Sequence, residues 1–156
     1  DYPFTTLAPS LGVVAVDNQE FVLADIPGLI EGAHEGRGLG HQFLGHVERC
    51  GVLVHVIDIL QDNLLEQYDL VRSELKAHSG ELGEKDEVVA LNKCDAMELT
   101  LAKERTEKLR PKISAPVHLI SAASGYGMED LVKTLQTKVE SHRKEVVSTV
   151  QEAWHP

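Results

Sequence analysis

Short apolar segments that alternate with longer amphipathic ones restrict the fold of this chain more than any other feature. The apolar segments are Val52–Ile57, Glu87–Leu91 and Val117–Ile120, and helical patterns follow them at Asp62–His78, Glu98–Leu109 and from Met128 onward. Apolar segments without strict alternation suit strands covered on both faces, and repeated strand–helix units favour right-handed parallel crossovers. The order therefore predicts an α/β fold with a mostly parallel sheet.

A hairpin is predicted before the parallel units. Leu11–Val16 and Phe21–Asp25 are short β-branched segments, and the turn-forming residues Asp17–Glu20 separate them. A glycine-rich loop at Gly28–Gly40 and a helix at Gln42–Cys50 are expected to connect the hairpin to the first parallel strand.

Composition places the chain among water-soluble globular proteins of one domain. Its 156 residues carry a net charge of -10, which argues against attraction to nucleic acid through the whole surface but leaves a local RNA contact open. No apolar segment approaches the roughly 18 residues that span a bilayer, and the first residues do not resemble a signal peptide. The two cysteines, Cys50 and Cys94, lack zinc-site spacing. We expect a cytoplasmic protein.

The sequence Asn92-Lys93-Cys94-Asp95 directly follows a predicted strand. A carboxylate at the end of a parallel strand can accept two hydrogen bonds from the N1–H and the exocyclic amine of guanine, whereas adenine offers no such donor pair. Four polar residues after a strand also suit an ordinary turn, so the motif needs support from elsewhere in the chain.

Two further segments end predicted strands and would lie at the same edge of the sheet, where open α/β sheets bind ligands. Asp25-Ile26-Pro27-Gly28 offers a carboxylate that can hold Mg²⁺ through water and a glycine amide that can approach a terminal phosphate. Ser121-Ala122-Ala123 can present a backbone N–H to the guanine oxygen. Taken singly, the first segment also suits a Pro-Gly turn, and the second carries almost no signal.

Thr5 and Thr6 precede the first strand, where a threonine hydroxyl can bind Mg²⁺ directly and a backbone N–H can meet a γ-phosphate. Two threonines at this place also suit simple strand formation. The other motifs favour the metal role for Thr6.

The motifs in this order resemble those of a translation-factor-class GTPase. The longer sequence segments around them resemble the Obg family over nearly the whole chain. The likeness rests on Asp1–Leu7, on Asp25–Ala33, on the glycines at positions 36, 38 and 40, and on Phe43-Leu44 and Glu48-Arg49-Cys50. It implies a P-loop NTPase-like three-layer sandwich and a Mg²⁺-dependent GTPase. It also implies a switch that acts in ribosome assembly, with the large ribosomal subunit as partner. We expect a monomer.

The resemblance also implies a set of site residues. Thr6 would ligate Mg²⁺ and Asp25 would hold it through water, while no catalytic side chain is assigned. The nucleotide would be bound by Phe4, Thr5, Thr6, Leu7, Ala8, Asp25, Ile26, Pro27, Gly28, Asn92, Lys93, Cys94, Asp95, Ser121, Ala122 and Ala123.

The phosphate-binding motif G-x-x-x-x-G-K-S/T does not occur in this sequence. In the Obg family it comes just before the position of Asp1, so we expect residues 1–156 to be the later part of a GTPase domain, truncated at its N-terminal side. We also expect the family's glycine-rich N-terminal domain to be absent. The strand lost with this segment is central in the family, and its loss would leave apolar surface exposed.

Leu29 occupies the position after Asp-x-Pro-Gly, where many GTPases have a glutamine that orients the attacking water. A leucine side chain cannot form hydrogen bonds, so slow intrinsic hydrolysis is expected. His34, Glu35, Arg37 and His41 are candidate catalytic or partner contacts, although solvated polar loop residues are the preferred interpretation. The competing interpretation is a non-catalytic GTPase-fold module that binds a partner, which the missing phosphate loop favours.

Overall fold

The computed structural model describes residues 11–24, 50–78 and 80–153 and confirms the predicted α/β fold with a parallel sheet. Its elements are β1 (Leu11–Val16), β2 (Gln19–Ala24), β3 (Val52–Asp58), α1 (Leu64–His78), α2 (Gly80–Gly83), β4 (Asp86–Asn92), a 3-10 turn (Cys94–Ala96), α3 (Leu99–Leu109), a second 3-10 turn (Arg110–Lys112), β5 (Val117–Leu119) and α4 (Met128–Ala153). The predicted glycine-rich loop at Gly28–Gly40 and all but the last residue of the predicted helix at Gln42–Cys50 lie outside the described residues.

The predicted hairpin is present as an antiparallel pair, with Val14 opposite Phe21. Its turn consists of Asp17 and Asn18, whose φ angles are 48° and 65°. Two consecutive positive φ angles suit a two-residue hairpin turn, and Asp and Asn tolerate them better than most residues. The local sequence therefore sets the register that directs Phe21 into the core.

The parallel sheet has three strands in the order β3-β4-β5. The central strand is buried at five consecutive positions, Glu87–Leu91, because helices or the hairpin cover both of its faces. In the register of the sheet Asp58 lies beside Asn92, and Leu91 lies beside Leu119. The carboxyl ends of the strands, and the loops that follow them, are therefore neighbours.

Two apolar clusters cover the two faces of this sheet. One contains Val89 and Leu91 together with residues of α1 and α3, and the other contains Val88 and Ala90 together with Phe21 and residues of α4. Burying one large aliphatic side chain stabilises a fold by about 1.5–3 kcal/mol. Consecutive residues of β4 thus contribute to opposite sides of the core, which explains the unbroken apolar sequence.

Element boundaries differ from the prediction by one or two residues. Helix α1 begins at Leu64 rather than at Asp62, because the Oδ1 of Asn63 accepts a hydrogen bond from the Glu66 amide at 3.1 Å and caps the helix. Strand β3 continues one residue further, to Asp58. None of the helices within the described residues is long and apolar enough to cross a membrane.

Some apolar surface remains exposed on the hairpin and on β3. The hairpin forms a sheet of its own, and Val13 and Val22 on one of its faces are 66% and 62% exposed. Val56 in β3 is 57% exposed.

One polar cluster lies inside the fold, close to the amino end of the sheet. Glu87 is buried, and its Oε1 accepts a hydrogen bond from the Tyr68 hydroxyl at 2.9 Å. Its Oε2 lies 3.4 Å from His55 Nδ1 and 3.5 Å from Arg72 Nη1. Arg72 also donates to the Gly83 carbonyl, and the His55 ring stacks on Tyr68 with 5.4 Å between ring centroids. The cluster attaches α1 to the sheet.

Charge and burial act in opposite directions on the Glu87 carboxyl. Burial raises its pKa, but the nearby His55 imidazole and the charge of Arg72 outweigh burial and hold the pKa below its usual 4.5. The pKa of Tyr68 is raised to about 12 by burial and by the charge of Glu87. At neutral pH the cluster therefore contains a carboxylate and a neutral phenol.

Candidate functional site

The loop after β4 contains the Asn-Lys-x-Asp motif and has an unusual backbone. Lys93 has φ 76° and ψ 30°, a left-handed conformation that non-glycine residues seldom adopt. The backbone is fixed on both sides of it, because the Ile59 amide donates to the Asn92 carbonyl at 3.0 Å and the Cys94 amide donates to the Ile120 carbonyl at 3.2 Å. These bonds connect the motif to both neighbouring strands.

Cys94, the variable position of the motif, turns into the core rather than toward the edge of the sheet. It is 4% exposed and belongs to the apolar cluster around Leu91. Burial, followed by the charge of Asp95, raises the pKa of its thiol. The side chain therefore packs as a small neutral apolar group, while its neighbours Lys93 and Asp95 are exposed.

The loop after β5 is closed by its own hydrogen bonds. The Ser121 amide donates to the Tyr126 carbonyl at 3.0 Å, and the Gly125 amide donates to the Ser121 carbonyl at 2.8 Å. Gly127 has φ 70°, and a Cβ there would lie 2.2 Å from the Leu119 carbonyl oxygen. Only glycine fits this close approach, which sets the path of the loop back to α4.

Two side-chain hydrogen bonds connect these loops. Asn92 Oδ1 accepts from the Ala122 amide at 3.0 Å, and the Ser121 hydroxyl donates to Asp95 Oδ1 at 2.8 Å. The same hydroxyl accepts from the Ser124 amide at 3.1 Å. Ser121 is fully buried, whereas Asp95 is exposed. A buried serine thus orients a carboxylate that remains accessible to a ligand.

The three amides of Ser121–Ala123 differ in their availability. Those of Ser121 and Ala122 are used within the protein, by Tyr126 and Asn92 respectively. The Ala123 amide has no acceptor within the described part of the chain. A ligand oxygen at this edge can therefore take the Ala123 amide directly, or it can displace Asn92 from the Ala122 amide.

Asp58, at the carboxyl end of β3, completes the polar edge. Its Oδ2 lies 3.0 Å from Lys93 Nζ, and its Oδ1 accepts from the Leu60 amide at 2.9 Å. The Leu60 amide and then Lys93 hold the pKa of Asp58 below its usual range, so the carboxylate stays charged at neutral pH. The sequence pattern that would have identified Asp58 is the one used for Asn92, a polar residue that ends an apolar strand.

Arg105 of α3 was also not predicted. Its guanidinium donates to the carbonyls of Ile59 and Gln61 and, at 3.3 Å, to that of Asp62. Carbonyl oxygens left over where a strand ends need donors, and Arg105 supplies them. Its position in the middle of an amphipathic helix gives no sign of this contact in the sequence.

The structure therefore brings together seven of the predicted site residues, those of Asn92–Asp95 and Ser121–Ala123. The predicted phosphate-binding residues Phe4–Ala8 and Asp25–Gly28 lie outside the described residues. Thr6 and Asp25, the predicted Mg²⁺ ligands, are among them. Within the described residues there is no group of three or more His, Cys, Asp or Glu side chains that could hold a metal ion.

Comparison with known families identifies the class of protein. A model of the family described as 50S ribosome-binding GTPase matches residues 1–93 of this chain. The chain belongs to this GTPase family. Its matched part includes Asn92 and Lys93, the first two residues of the motif that the structure places at the edge of the sheet.

Solved structures share the fold of this GTPase. Nucleolar GTP-binding protein 1 of Plasmodium falciparum has a TM-score of 0.63 at 18% identity, over 92% of this chain and 76% of that one. The FeoB G-domain of Methanococcus jannaschii has a TM-score of 0.62 at 23% identity, over 83% of this chain and 79% of that one.

A third similar structure is Era, solved with MgGDPNP and a segment of 16S ribosomal RNA. Its TM-score is 0.58 at 23% identity, and the match covers 86% of this chain but only 45% of the Era chain. At identities this low, the structural similarity shows a shared fold only. The ligands and partners of these proteins cannot be transferred to this chain on that basis.

Proposed function

We propose that this protein is an Obg-type GTPase that binds GTP and GDP with Mg²⁺ and hydrolyses GTP slowly to GDP and phosphate. The proposal rests on the hydrogen bond that the Ser121 hydroxyl donates to Asp95 Oδ1 at 2.8 Å. This bond orients an exposed carboxylate close to the loop that carries the Ala122 and Ala123 amides. Guanine presents two donors on one edge and an oxygen beside them. This arrangement supplies the matching acceptors and donor.

Each residue of the site has a proposed role. Asp95 accepts from the N1–H and the exocyclic amine of guanine, and the Ser121–Ala123 loop donates to the guanine oxygen. Asn92 does not read the base in this proposal, but joins the two loops by accepting from the Ala122 amide. Thr6 and Asp25 would hold Mg²⁺, directly and through water respectively, and the metal would neutralise charge on the phosphates. Phe4–Ala8 and Asp25–Gly28 would follow the phosphates.

Slow hydrolysis is proposed because Leu29 stands where a water-orienting glutamine is common. Its side chain has neither a donor nor an acceptor for the attacking water. The rate would then depend on a partner or on another element of the protein. We propose the large ribosomal subunit as that partner, a choice that the description of the family as ribosome-binding supports. We further propose that the protein acts in ribosome assembly in the cytoplasm.

Base preference is the sharpest test of guanine recognition. In the full-length protein, fluorescent GDP should bind at least about a hundredfold more tightly than the ADP analogue, since ADP leaves Asp95 unpaired. Asp95→Ala should abolish this preference. Asp95→Asn should shift it toward the xanthine nucleotide, whose second carbonyl can accept from the new amide. Equal affinities for GDP and ADP in the wild type would exclude the proposal.

A non-catalytic module with this fold, which binds a partner without turning over nucleotide, is the second candidate. A module of this kind would bind the large ribosomal subunit equally with and without nucleotide. The proposed switch would co-sediment with the subunit more strongly in the presence of a non-hydrolysable GTP analogue than with GDP.

A further inference from the structure

We infer that Asp58 is a positioning residue for the guanine nucleotide and acts through Lys93. This inference rests on the function proposed above and adds a residue outside the Asn-Lys-x-Asp and Ser-Ala segments. Asp58 contacts the base-reading edge through Lys93, and it lies beside Asn92 in the sheet. Its contribution would be to hold the lysine in place before the nucleotide arrives.

Both oxygens of the Asp58 carboxylate have a defined partner. Oδ1 accepts from the Leu60 amide at 2.9 Å, which fixes the side-chain rotamer, and Oδ2 then faces Lys93 Nζ at 3.0 Å. The sheet sets the distance between the two residues, since Asp58 lies beside Asn92 and the Ile59 amide donates to the Asn92 carbonyl. The contact therefore follows from strand register as well as from opposite charge.

The lysine needs such a partner because it lies in the open. Its side chain is 57% exposed, against 27% for that of Asp58. A long exposed side chain samples several rotamers, and fixing it on a ligand costs conformational entropy. A carboxylate that already holds the ammonium at the edge of the site removes part of that cost, so binding is stronger without any new contact to the ligand.

The segment after Asp58 is held as well. Arg105 donates to the carbonyls of Ile59, Gln61 and Asp62, so the loop that carries the Leu60 amide is fastened to α3. The Leu60 amide is thereby kept at a fixed place for the Asp58 carboxylate. A continuous set of contacts thus runs from α3 through Asp58 to Lys93.

Asp58→Asn separates the two contacts of the carboxylate. The amide oxygen of asparagine can still accept from Leu60, but its nitrogen cannot accept from Lys93. In the full-length protein we expect fluorescent GDP to bind about two- to fivefold more weakly, the range that corresponds to losing a solvent-exposed ion pair. Asp58→Glu keeps the charge and should restore part of the affinity.

Asp86→Asn is the matched control. Asp86 also accepts from a backbone amide, that of Glu87 at 3.0 Å, and from a lysine, Lys138 at 2.8 Å, but it lies at the amino end of the same pair of strands. Both contacts fall on Oδ1, so the change removes the charge of this ion pair, about 20 Å away along the strand, while the amide oxygen can still accept from Lys138. It should leave GDP affinity unchanged, and a loss equal to that of Asp58→Asn would overturn the inference.

A double-mutant cycle with Lys93→Met tests whether Asp58 acts through the lysine. Methionine keeps an apolar stem of similar length but has no charge. If Asp58 works by positioning Lys93, then Asp58→Asn will have no further effect on GDP affinity once Lys93 is methionine. A general structural role for Asp58 would instead give the same loss in both backgrounds, and the inference would be wrong.

The wild-type protein in the same assay separates this inference from the function on which it rests. Absence of any preference for GDP over ADP would overturn both. A clear GDP preference that Asp58→Asn leaves at full affinity would overturn the role of Asp58 alone. Thermal unfolding midpoints of all variants, measured without nucleotide, show whether a loss of affinity reflects a loss of fold.

Discussion

The two ends of the parallel sheet use the same kinds of side chain in opposite ways. Near the amino end, the carboxylate of Glu87 is buried, and Tyr68, His55 and Arg72 surround it. At the carboxyl end, the carboxylate of Asp95 is exposed, and a buried serine hydroxyl fixes its orientation. One carboxylate is enclosed by protein groups, while the other is held in place and left open to solvent.

This difference separates stability from recognition. A buried carboxylate whose partners are all protein groups is costly to disturb, because its partners would be left buried and unpaired. An exposed carboxylate adds little to stability, since water replaces any partner it loses. Substitutions at the amino end should therefore change the free energy of unfolding, and those at the carboxyl end should change base preference.

The largest effect on stability is expected at Glu87. Glu87→Ala leaves two buried nitrogen atoms, Arg72 Nη1 and His55 Nδ1, without their carboxylate and should lower the free energy of unfolding by about 3–5 kcal/mol. Urea unfolding monitored by circular dichroism measures the change. Where enough folded protein remains, the preference for GDP over ADP should be unaltered, because the cluster lies at the opposite end of the sheet.

Glu107→Gln is the control for this change. Glu107 forms an ion pair with Arg110 at 2.9 Å, but its side chain is 69% exposed. Its loss should cost no more than about 0.5 kcal/mol. Similar losses for the two glutamates would contradict the claim that enclosure, rather than charge pairing, gives Glu87 its importance.

A substitution at Gly127 should change both the free energy of unfolding and the affinity for GDP. A Cβ at this position meets the Leu119 carbonyl oxygen at 2.2 Å, and the positive φ adds strain. Gly127→Ala should lower the free energy of unfolding by about 2–4 kcal/mol and should also weaken GDP binding, because the Ser121–Ala123 loop must shift. Both quantities can be measured on one preparation, by urea unfolding and fluorescent GDP titration.

Gly125 provides the comparison, since it also has a positive φ, of 88°, but an added Cβ there meets nothing within 4 Å. Gly125→Ala should cost only the backbone term, about 1–2 kcal/mol. Equal destabilisation by the two alanines would show that the close approach to Leu119 does not set the path of the loop.

The carboxyl end of the sheet was predictable because its signals are local in the sequence. Apolar segments locate the strands, and polar residues directly after them must lie at the edge where ligands bind. Asn92 and Ser121 were identified in this way, and the structure joins their loops. Asp58 carries the same signal but has no motif around it, so it was not identified.

The amino end could not be predicted, because its contacts join residues that are far apart in the chain. Glu87 reads as an ordinary first residue of a strand, and only the packing of α1 against the sheet brings Tyr68 and Arg72 to it. Arg105 is similar, since it meets its carbonyl partners more than 40 residues away in the chain. Helical periodicity gives the inward face of a helix, but it does not give the group that a polar side chain meets there.

A smaller effect is expected from acid. Burial raises the pKa of Glu87, but His55 and Arg72 outweigh it, so the folded pKa lies below the usual 4.5. The contribution of the Glu87 carboxylate to the free energy of unfolding is therefore fully present above pH 4.5, and it is lost as pH falls through the pKa of the folded state. The difference in unfolding free energy between wild type and Glu87→Gln should shrink over this window. The measurements should extend to about pH 3, which is about 1.5 pH units below the usual pKa of 4.5. If the difference stays constant over this range, Glu87 does not titrate as a charged partner.

The smallest effect is expected at Tyr68, whose hydroxyl donates to Glu87 at 2.9 Å. Tyr68→Phe should cost about 1 kcal/mol, the usual value of one hydrogen bond. Burial and the charge of Glu87 raise the pKa of Tyr68 to about 12, so its stabilising effect should be fully present below pH 10.0 and be lost as pH rises from there to about 12.

Alkaline titration of the tyrosinate absorbance measures this directly, since the difference between wild type and Tyr68→Phe isolates one phenol. Its midpoint should fall in Glu87→Gln, because the charge that opposes ionisation is gone while burial remains. An unchanged midpoint would mean that burial alone sets the value. The carboxylate would then hold Tyr68 by geometry rather than by charge, and the two ends of the sheet would differ in burial but not in electrostatics.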